Sequence, residues 1–443
     1  MPSGDRIELD VTDLSYLGDG VGHVDSNFAV FASGGLPGER VVLDVDERRG
    51  TYLHGRVHLV LVGAPDRVTP PCRYFGECGG CQVQHLDYGA QVRWKTEMVR
   101  RQLNRIGQGV LPEVRPCIAA PEPWMYRNNA RFSVDSRGQI GFLRPKSHVV
   151  LPIDDCLIMQ PEIAAIMPRL QAVWPGAHQV VVRYGARTGQ LLVAPRLPVT
   201  DTVLQSGQES YEEVLLGRAF RVSATSFFQV NTRVDRRTLP EGIDRRWISE
   251  FKLADQPAEL DLDPLLSLSQ VDILALLVLS HLELTGREYV VDAYCGVGTF
   301  ACLIAERAGR VLGIDEVNLA ILDAVHNARA HENLTFVHGQ TEDHLARLDS
   351  KPDAVVLDPS RIGCHPRVLA ALATLRPAMI VYVSCDLATL TRDVRRLIES
   401  GYELADIQPI DMFPQTHHIE TVVALRLRHS ATGMVSAIGP QFD

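Results

Sequence analysis

The sequence predicts an α/β protein of three parts: a doubly wound parallel-sheet domain, preceded by a small β-barrel and a mixed α+β region. Three observations predict it. From Tyr289 onward, strand-like runs (EYVVDAYCGVGT, RVLGIDE, LTFVHG, PDAVVLDPS, AMIVYVSCD, ELADIQPIDMFP) alternate with helical segments, the pattern of a doubly wound sheet. Residues 6–62 instead read as about five short strands with Gly-rich turns, which suits an OB-like barrel. Between the two lies a mixed stretch opened by a cysteine cluster. At 443 residues the chain is too long for one ordinary core. The parts are expected at 1–65, 66–220 and 221–443.

In the first part, IELDVTDL, GVGHV, NFAVFAS, ERVVLDVDERR and YLHGRVHLVL alternate or run apolar over strand lengths, punctuated by Gly18, Gly20, Gly22 and Gly34-Gly35. Such barrels bind single-stranded nucleic acid or serve as structural appendages. Asp66 to Pro71 reads as a turn-rich linker. A basic helix follows from Tyr88 to Ile106, carrying Arg93, Lys95, Arg100, Arg101 and Arg105. YRNNARFSVD, QIGFLR, HVVLPID, a helix near 161–174, HQVVVRYG and QLLVAP make the α+β part, and AFRVSATSFFQVN gives a further strand and turn. Residues 233–264 are polar and contain Pro, so they read as an exposed insertion. Val271 to Leu284 is apolar, but Asp272, His281 and Glu283 interrupt it; it is too short and polar to span a bilayer and reads as a buried helix.

Composition excludes little. The apolar and charged fractions, 46% and 22%, are those of a globular protein. MPSGDRIELD has no apolar core of a signal peptide, so a cytoplasmic protein without a membrane partner is expected. The net charge of −10 argues weakly against a nucleic-acid partner. The charge is uneven, however: residues 72–150 hold twelve Lys/Arg against six Asp/Glu, while Asp255 to Asp263 carries acids alone. A local basic surface is therefore expected. In a reducing compartment, the nine cysteines point to metal binding or catalysis rather than disulfides.

Two strand ends outline a cofactor site. VVDAYCGVGTF is a strand, an acid and a Gly-rich turn into a helix. It lacks the Gly-Lys-Ser/Thr of a P-loop, and only Gly296 and Gly298 stand where a dinucleotide fingerprint needs glycines. VLGIDE ends a later strand at Asp315, where a carboxylate can accept both hydroxyls of a ribose. An ordinary strand–helix turn with an acidic cap is the bland alternative. Asp292-x-Tyr-Cys-Gly-x-Gly followed by Asp315 resembles the S-adenosylmethionine site of class I methyltransferases.

Two further strand ends carry chemistry. VVLDPSRIG ends in Asp358-Pro359, but Arg361 stands where amino-methyltransferases place a stacking aromatic. AMIVYVSCD ends at Cys385, and Glu420 follows in FPQTHHIE. Uracil C5 is a poor nucleophile. A thiolate adding to C6 makes C5 nucleophilic, and a base must then remove the C5 proton before the thiol can leave. Cys385 and Glu420 fit those roles, and Asp358 and Arg361 could hold the polar edge of the ring. Each has a plain alternative, the thiol as core filler and the carboxylate as a surface acid. His417 and His418 read as structural or RNA-facing.

SCDLATLTRD, FPQTHHIETVV, DPSRIG, DAYCGVGTF and SFFQVNT together resemble the RNA uracil-5-methyltransferase family over nearly the whole chain. The resemblance implies a class I methyltransferase Rossmann-like domain, an N-terminal TRAM barrel of OB type and a central α+β iron–sulfur domain. It implies that Gln229, Tyr294, Thr299, Asp315, Gln340 and Asp358 line an S-adenosylmethionine pocket, with Cys385 as nucleophile and Glu420 as base. Arg131, Arg361 and Phe227 become substrate contacts; Tyr126 to Phe132 can hold phosphates and stack bases, or can be a half-buried strand. CRYFGECGGC alone leaves zinc and an iron–sulfur cluster open. The family implies a 4Fe–4S cluster on Cys72, Cys78, Cys81 and Cys156, with zinc as alternative and Cys117 a bystander. Ser360, Asp386-Leu387 and Asp315 depart from the family's usual Pro, Asn-Pro and Glu, and Asp386 is expected to raise the thiol's pKa. The expected activity is methylation of uridine C5 in structured RNA by a monomer, with 23S ribosomal RNA favoured over transfer RNA. Cytosine-5 or amino methylation and a non-catalytic RNA-binding scaffold are the rivals.

Overall fold

A computed structural model describes residues 5–24, 28–107, 111–174, 176–197, 204–253 and 266–428. Strands β1 (Arg6–Leu14), β2 (Gly20–Val24), β3 (Phe28–Ser33), β4 (Arg40–Arg49) and β5 (Tyr52–Val62) close into a barrel in the order β1-β2-β3-β5-β4. Alternate residues such as Leu9, Val11, Val30, Val41 and Leu43 fill it, and closure leaves no free sheet edge. The sequence therefore shows its barrel through period-two burial.

Helix α1 (Tyr88–Asn104) starts at Asp87, whose side chain accepts from the Ala90 N–H. Its buried face runs through Gln91, Lys95, Met98, Val99 and Leu103. Lys95 is fully buried against Asp411, while Arg93, Arg100 and Arg101 pair with Asp66, Glu97 and Asp13.

The second sheet has the order β10-β9-β6-β7-β8, from β6 (Asn129–Val134), β7 (Ile140–Leu143), β8 (Val150–Pro152), β9 (Gln179–Tyr184) and β10 (Leu191–Ala194). The helix expected near 161–174 is shorter, α2 (Pro161–Ile166) followed by one 3-10 turn, Met167–Leu170. Pro168 lacks the N–H that would carry the α-helix onward.

A hairpin of β11 (Ser210–Leu215) and β12 (Arg218–Ser223) follows. The boundary expected at 220/221 falls inside β12, and both strands pack on the large core through Tyr211, Leu215, Phe220 and Val222. The expected exposed insertion is also corrected. Strand β13 (Val234–Arg237) pairs with β14 (Leu266–Ser269), and α3 (Arg246–Glu250) buries Trp247 and Ile248 in the same core. Residues 254–265, including the whole acidic run, lie outside the described residues. The buried helix is present as α4 (Gln270–His281), with Ser269 and Asp272 forming a capping box.

The largest sheet contains β15 (Tyr289–Ala293), β16 (Arg310–Asp315), β17 (Leu334–His338), β18 (Ala354–Leu357), β19 (Met379–Ser384), β20 (Tyr402–Ile410) and β21 (Glu420–Leu427), ordered β17-β16-β15-β18-β19-β21-β20. Between its strands run α5 (Thr299–Ile304), α6 (Asn318–Asn327), α7 (Thr341–Leu345), α8 (Pro366–Leu375) and α9 (Leu387–Glu399). Strands β15 to β19 are parallel, while β21 runs antiparallel to both neighbours. The strand order reverses between β15 and β18, which opens a crevice at their carboxyl ends. Among the described residues, no helix is long and apolar enough to cross a membrane.

Candidate active site

The crevice is built from strand ends. After β15 the chain turns at Tyr294, with φ 68°, and then at Gly296 and Gly298, with φ 53° and 80°. A Cβ on Gly298 would lie 2.8 Å from Phe336 Cζ, so the turn and the packing both need glycine there. Asp292 is buried, and one carboxylate oxygen accepts from the Ala301 N–H at 2.8 Å. Asp315 accepts from the Gly296 N–H at 2.9 Å and from the Val317 N–H at 2.8 Å, which ties the Gly-rich turn to β16. Thr299 opens α5, and Tyr294 sits beside Cys364 and His365 across the crevice rim. Gln340 is exposed at the end of β17 and donates to Glu316 at 2.7 Å.

The candidate reacting groups come from the ends of β18, β19 and β21. Because β21 runs antiparallel to β19, its first residue lies at the same edge as β19's last. Ser384 pairs with Thr421, so one step outward brings Cys385 beside Glu420. Burial first, and then the Glu420 charge, push the Cys385 thiol up to about 12, with Arg361 opposing. Burial and then Asp358 hold the Glu420 carboxyl well above the usual carboxylate range, again against Arg361. Burial lifts Asp358 to about 7, against a hydrogen bond from Gln229. Burial, then Asp358, also raises Asp292 well above its ordinary value. Asp386 also raises the thiol, as expected, but by less than burial and Glu420 do. Its carboxylate caps α9, accepting from the Thr389 N–H at 2.9 Å.

Gln229, Asp358, Arg361, Cys385 and Glu420 are thus brought together. Phe227 lies on the same loop as Gln229 and is 63% exposed. Asp323 on α6 anchors that loop, accepting from the Ser223 N–H and from the Ser223 and Ser226 hydroxyls. Sequence reading missed Asp323, since a carboxylate inside a helix carries no local signal of a distant partner. Arg131 lies elsewhere, at the mouth of the cysteine cavity.

Burial favours the protonated forms of three carboxyls around one crevice, and a cation joining them favours the ionised forms. Two acceptors here, Asp292 Oδ1 and Gln229 Oε1, are buried and have no protein partner. The residues therefore fit a positively charged ligand with further N–H or O–H donors, as the sulfonium, amino and ribose groups of S-adenosylmethionine provide.

Cys72, Cys78, Cys81 and Cys156 line a second cavity, of about 220 Å³, together with Arg127, Arg131 and Asp155. Burial raises the Cys81 thiol and pushes Cys156 up to about 12, and the neighbouring thiols add to both shifts. Among the described residues, no three His, Cys, Asp or Glu side chains stand together as a ready metal-ion site. Cys117 is buried away from this cavity, in the core below α1.

A family model described as TRAM domain matches residues 3–58, and one described as tRNA (Uracil-5-)-methyltransferase matches residues 278–428. An uncharacterized RNA methyltransferase of Halalkalibacterium halodurans is 34% identical, over 96% of this chain and 98% of the relative. Another, from Caldanaerobacter subterraneus, is 32% identical, over 95% of this chain and 97% of the relative. The solved structure of Pyrococcus abyssi tRNA (uracil-54, C5)-methyltransferase in complex with S-adenosyl-L-homocysteine has a TM-score of 0.68 at 23% identity, covering 95% of this chain and 100% of that one. That likeness speaks to the fold alone. With relatives matching end to end and the strand order of a class I methyltransferase, the chain belongs to the RNA uracil-5-methyltransferase family of S-adenosylmethionine-dependent enzymes.

Proposed function

We propose that the protein methylates C5 of a uridine in structured RNA through a covalent bond between Cys385 and C6. The observation that carries this reading is the placement of Cys385 beside Glu420, at the edge of a crevice lined by Asp292, Asp358 and Gln229. Bound S-adenosylmethionine supplies an electrophilic methyl group on a sulfonium. The Cys385 thiol gives its proton to solvent as its sulfur adds to C6, and the C5–C6 electron pair moves to C5 and O4. Arg361 stabilises the charge on the carbonyl edge. Once C5 carries the methyl group, Glu420 takes the C5 proton, the C6–S bond breaks and the thiolate is restored. Burial favours the protonated form of Glu420, and a cation beside it favours the ionised form that can act as base. Asp315, Gln340, Tyr294 and Thr299 complete the cofactor pocket in this reading, and Phe227 stacks on a displaced base.

The four cysteines would hold a 4Fe–4S cluster. A cavity shared by four thiols suits a body larger than one ion, and zinc is the alternative. The transfer is redox-neutral, so the cluster's role is to shape the RNA-binding surface, with Arg127 and Arg131 at its rim. The barrel, the cysteine part and the large sheet act as three parts of a cytoplasmic monomer. The barrel and cysteine cavity together favour 23S ribosomal RNA. Transfer RNA is the second reading, because the Pyrococcus abyssi enzyme named above acts on it. Purified ribosomal and transfer RNA, each incubated with labelled cofactor, separate the two. Loss of methylation in Cys385→Ala supports the covalent reading; unchanged methylation rejects it. A protein that binds no S-adenosylmethionine would instead be the scaffold rival.

A further inference from the structure

The mechanism above leaves the two imidazoles before Glu420 without a task. Arg361 is exposed at the mouth of the site, and among the described residues no carboxylate forms an ion pair with it. Its guanidinium instead meets the His418 ring, Nη2 to Nε2 at 3.3 Å. Arginine can only donate, so His418 Nε2 accepts and the ring proton lies on Nδ1. Burial, then His417 and Arg361, depress His418 to about 3, so the ring is neutral and free to accept.

The His418 ring is itself held. It lies 4.1 Å from the His417 ring, centroid to centroid, and edge-on to Phe413. His417 Nδ1 is 3.1 Å from Gln82 Oε1, and Gln82 Nε2 donates to the Gly79 carbonyl at 2.8 Å. Gln82 directly follows Cys81, and the N–H groups of Gln82 and Val83 donate to the Gln415 carbonyl at 3.1 and 3.2 Å. Contacts therefore run without a break from the cysteine loop to the guanidinium at the reacting site.

We propose that His418 is a positioning residue that holds Arg361 over the carbonyl edge of the uracil, and that Gln82 braces it through His417. A long exposed side chain would otherwise sample many rotamers, and its charge helps only when aimed at the developing enolate. This rests on the reading of Arg361 as a substrate contact in the covalent reaction.

The test uses the full chain with RNA carrying 5-fluorouridine at the target, which cannot lose a C5 proton and so traps the adduct. His418→Leu is expected to slow adduct formation about 10–100-fold. It lowers kcat more than it changes KM for RNA and leaves S-adenosylmethionine binding as in the native protein. His418→Gln, which can place an acceptor near the lost Nε2, recovers most of the rate, and Gln82→Ala gives a smaller loss of about 3–10-fold. Adduct formation at the native rate in His418→Leu overturns the proposal alone. So does an equal loss in His418→Leu and His418→Gln with weakened cofactor binding, since that marks a merely structural role. A native protein that forms no adduct overturns the covalent reading itself, and the proposal falls with it.

Discussion

Cys385 sits in a site that keeps its thiol protonated, because burial and the Glu420 charge both disfavour the thiolate. Replacing Glu420 by Gln removes that charge and the base together. The expected outcome is an adduct that forms but does not resolve. Covalent complex then accumulates on ordinary uridine RNA, while product turnover falls by about 10²–10⁴-fold; gel shift and nucleoside mass spectrometry read the two. Asp386 acts differently. As the cap of α9 it stabilises a helix, so Asp386→Ala should cost about 1 kcal/mol in urea unfolding and change the adduct rate little. The thiol stood out in the sequence because it directly follows an apolar strand, whereas Glu420 opens one, and the β19–β21 pairing sets the two side by side. The helix-capping role of Asp386 was not legible, because a cap is defined by where a side chain turns, which composition does not show.

At the scale of elements, the pairing of β19 with β21 does what no local motif could. It brings Cys385 beside a carboxylate from beyond the next helix and strand, and its register is a long-range property. The loop that precedes Glu420 is clamped by α1: Lys95 Nζ donates to Asp411 Oδ1 at 2.7 Å and to the Phe413 carbonyl at 3.1 Å, and Gln91 exchanges hydrogen bonds with Gln415. Lys95→Met leaves a buried carboxylate unpaired and should cost about 3–5 kcal/mol in urea unfolding. In the sequence, Lys95 looked like one more cation on a basic helix. Only its spacing of four from Gln91 and three from Met98 placed it on the buried face. The 233–264 segment misled in the opposite sense, since its polar composition outweighed one Trp-Ile pair that turns out to be buried.

For the whole molecule, the acid-lined crevice makes cofactor binding pH-dependent. Asp358 is lifted to about 7 in the free enzyme. A bound cation lowers that value, so binding releases protons and affinity rises with pH up to about 7. The same shift destabilises the free fold as pH rises from the ordinary carboxylate range through about 7, because the folded state holds the proton more tightly. Titration calorimetry across this range should show the trend, and Asp358→Asn should flatten it. The cysteine cavity stands apart from that crevice. Cys78→Ser should therefore abolish the brown colour expected of the proposed cluster and weaken RNA methylation while leaving S-adenosylmethionine affinity unchanged. The barrel and the doubly wound sheet were legible because the hydrophobic period differs between them; the contacts that join the parts were not, because they are single side chains far apart in the chain.

The central claim is that catalysis passes through one thiol, and peptide mapping of the trapped complex tests it most directly. After reaction of the native protein with S-adenosylmethionine and 5-fluorouridine RNA, mass spectrometry should find the methylated, fluorinated nucleotide on the peptide containing Cys385 and on no other cysteine peptide. A nucleotide attached elsewhere, or methylated RNA from Cys385→Ala at the native rate, would contradict it.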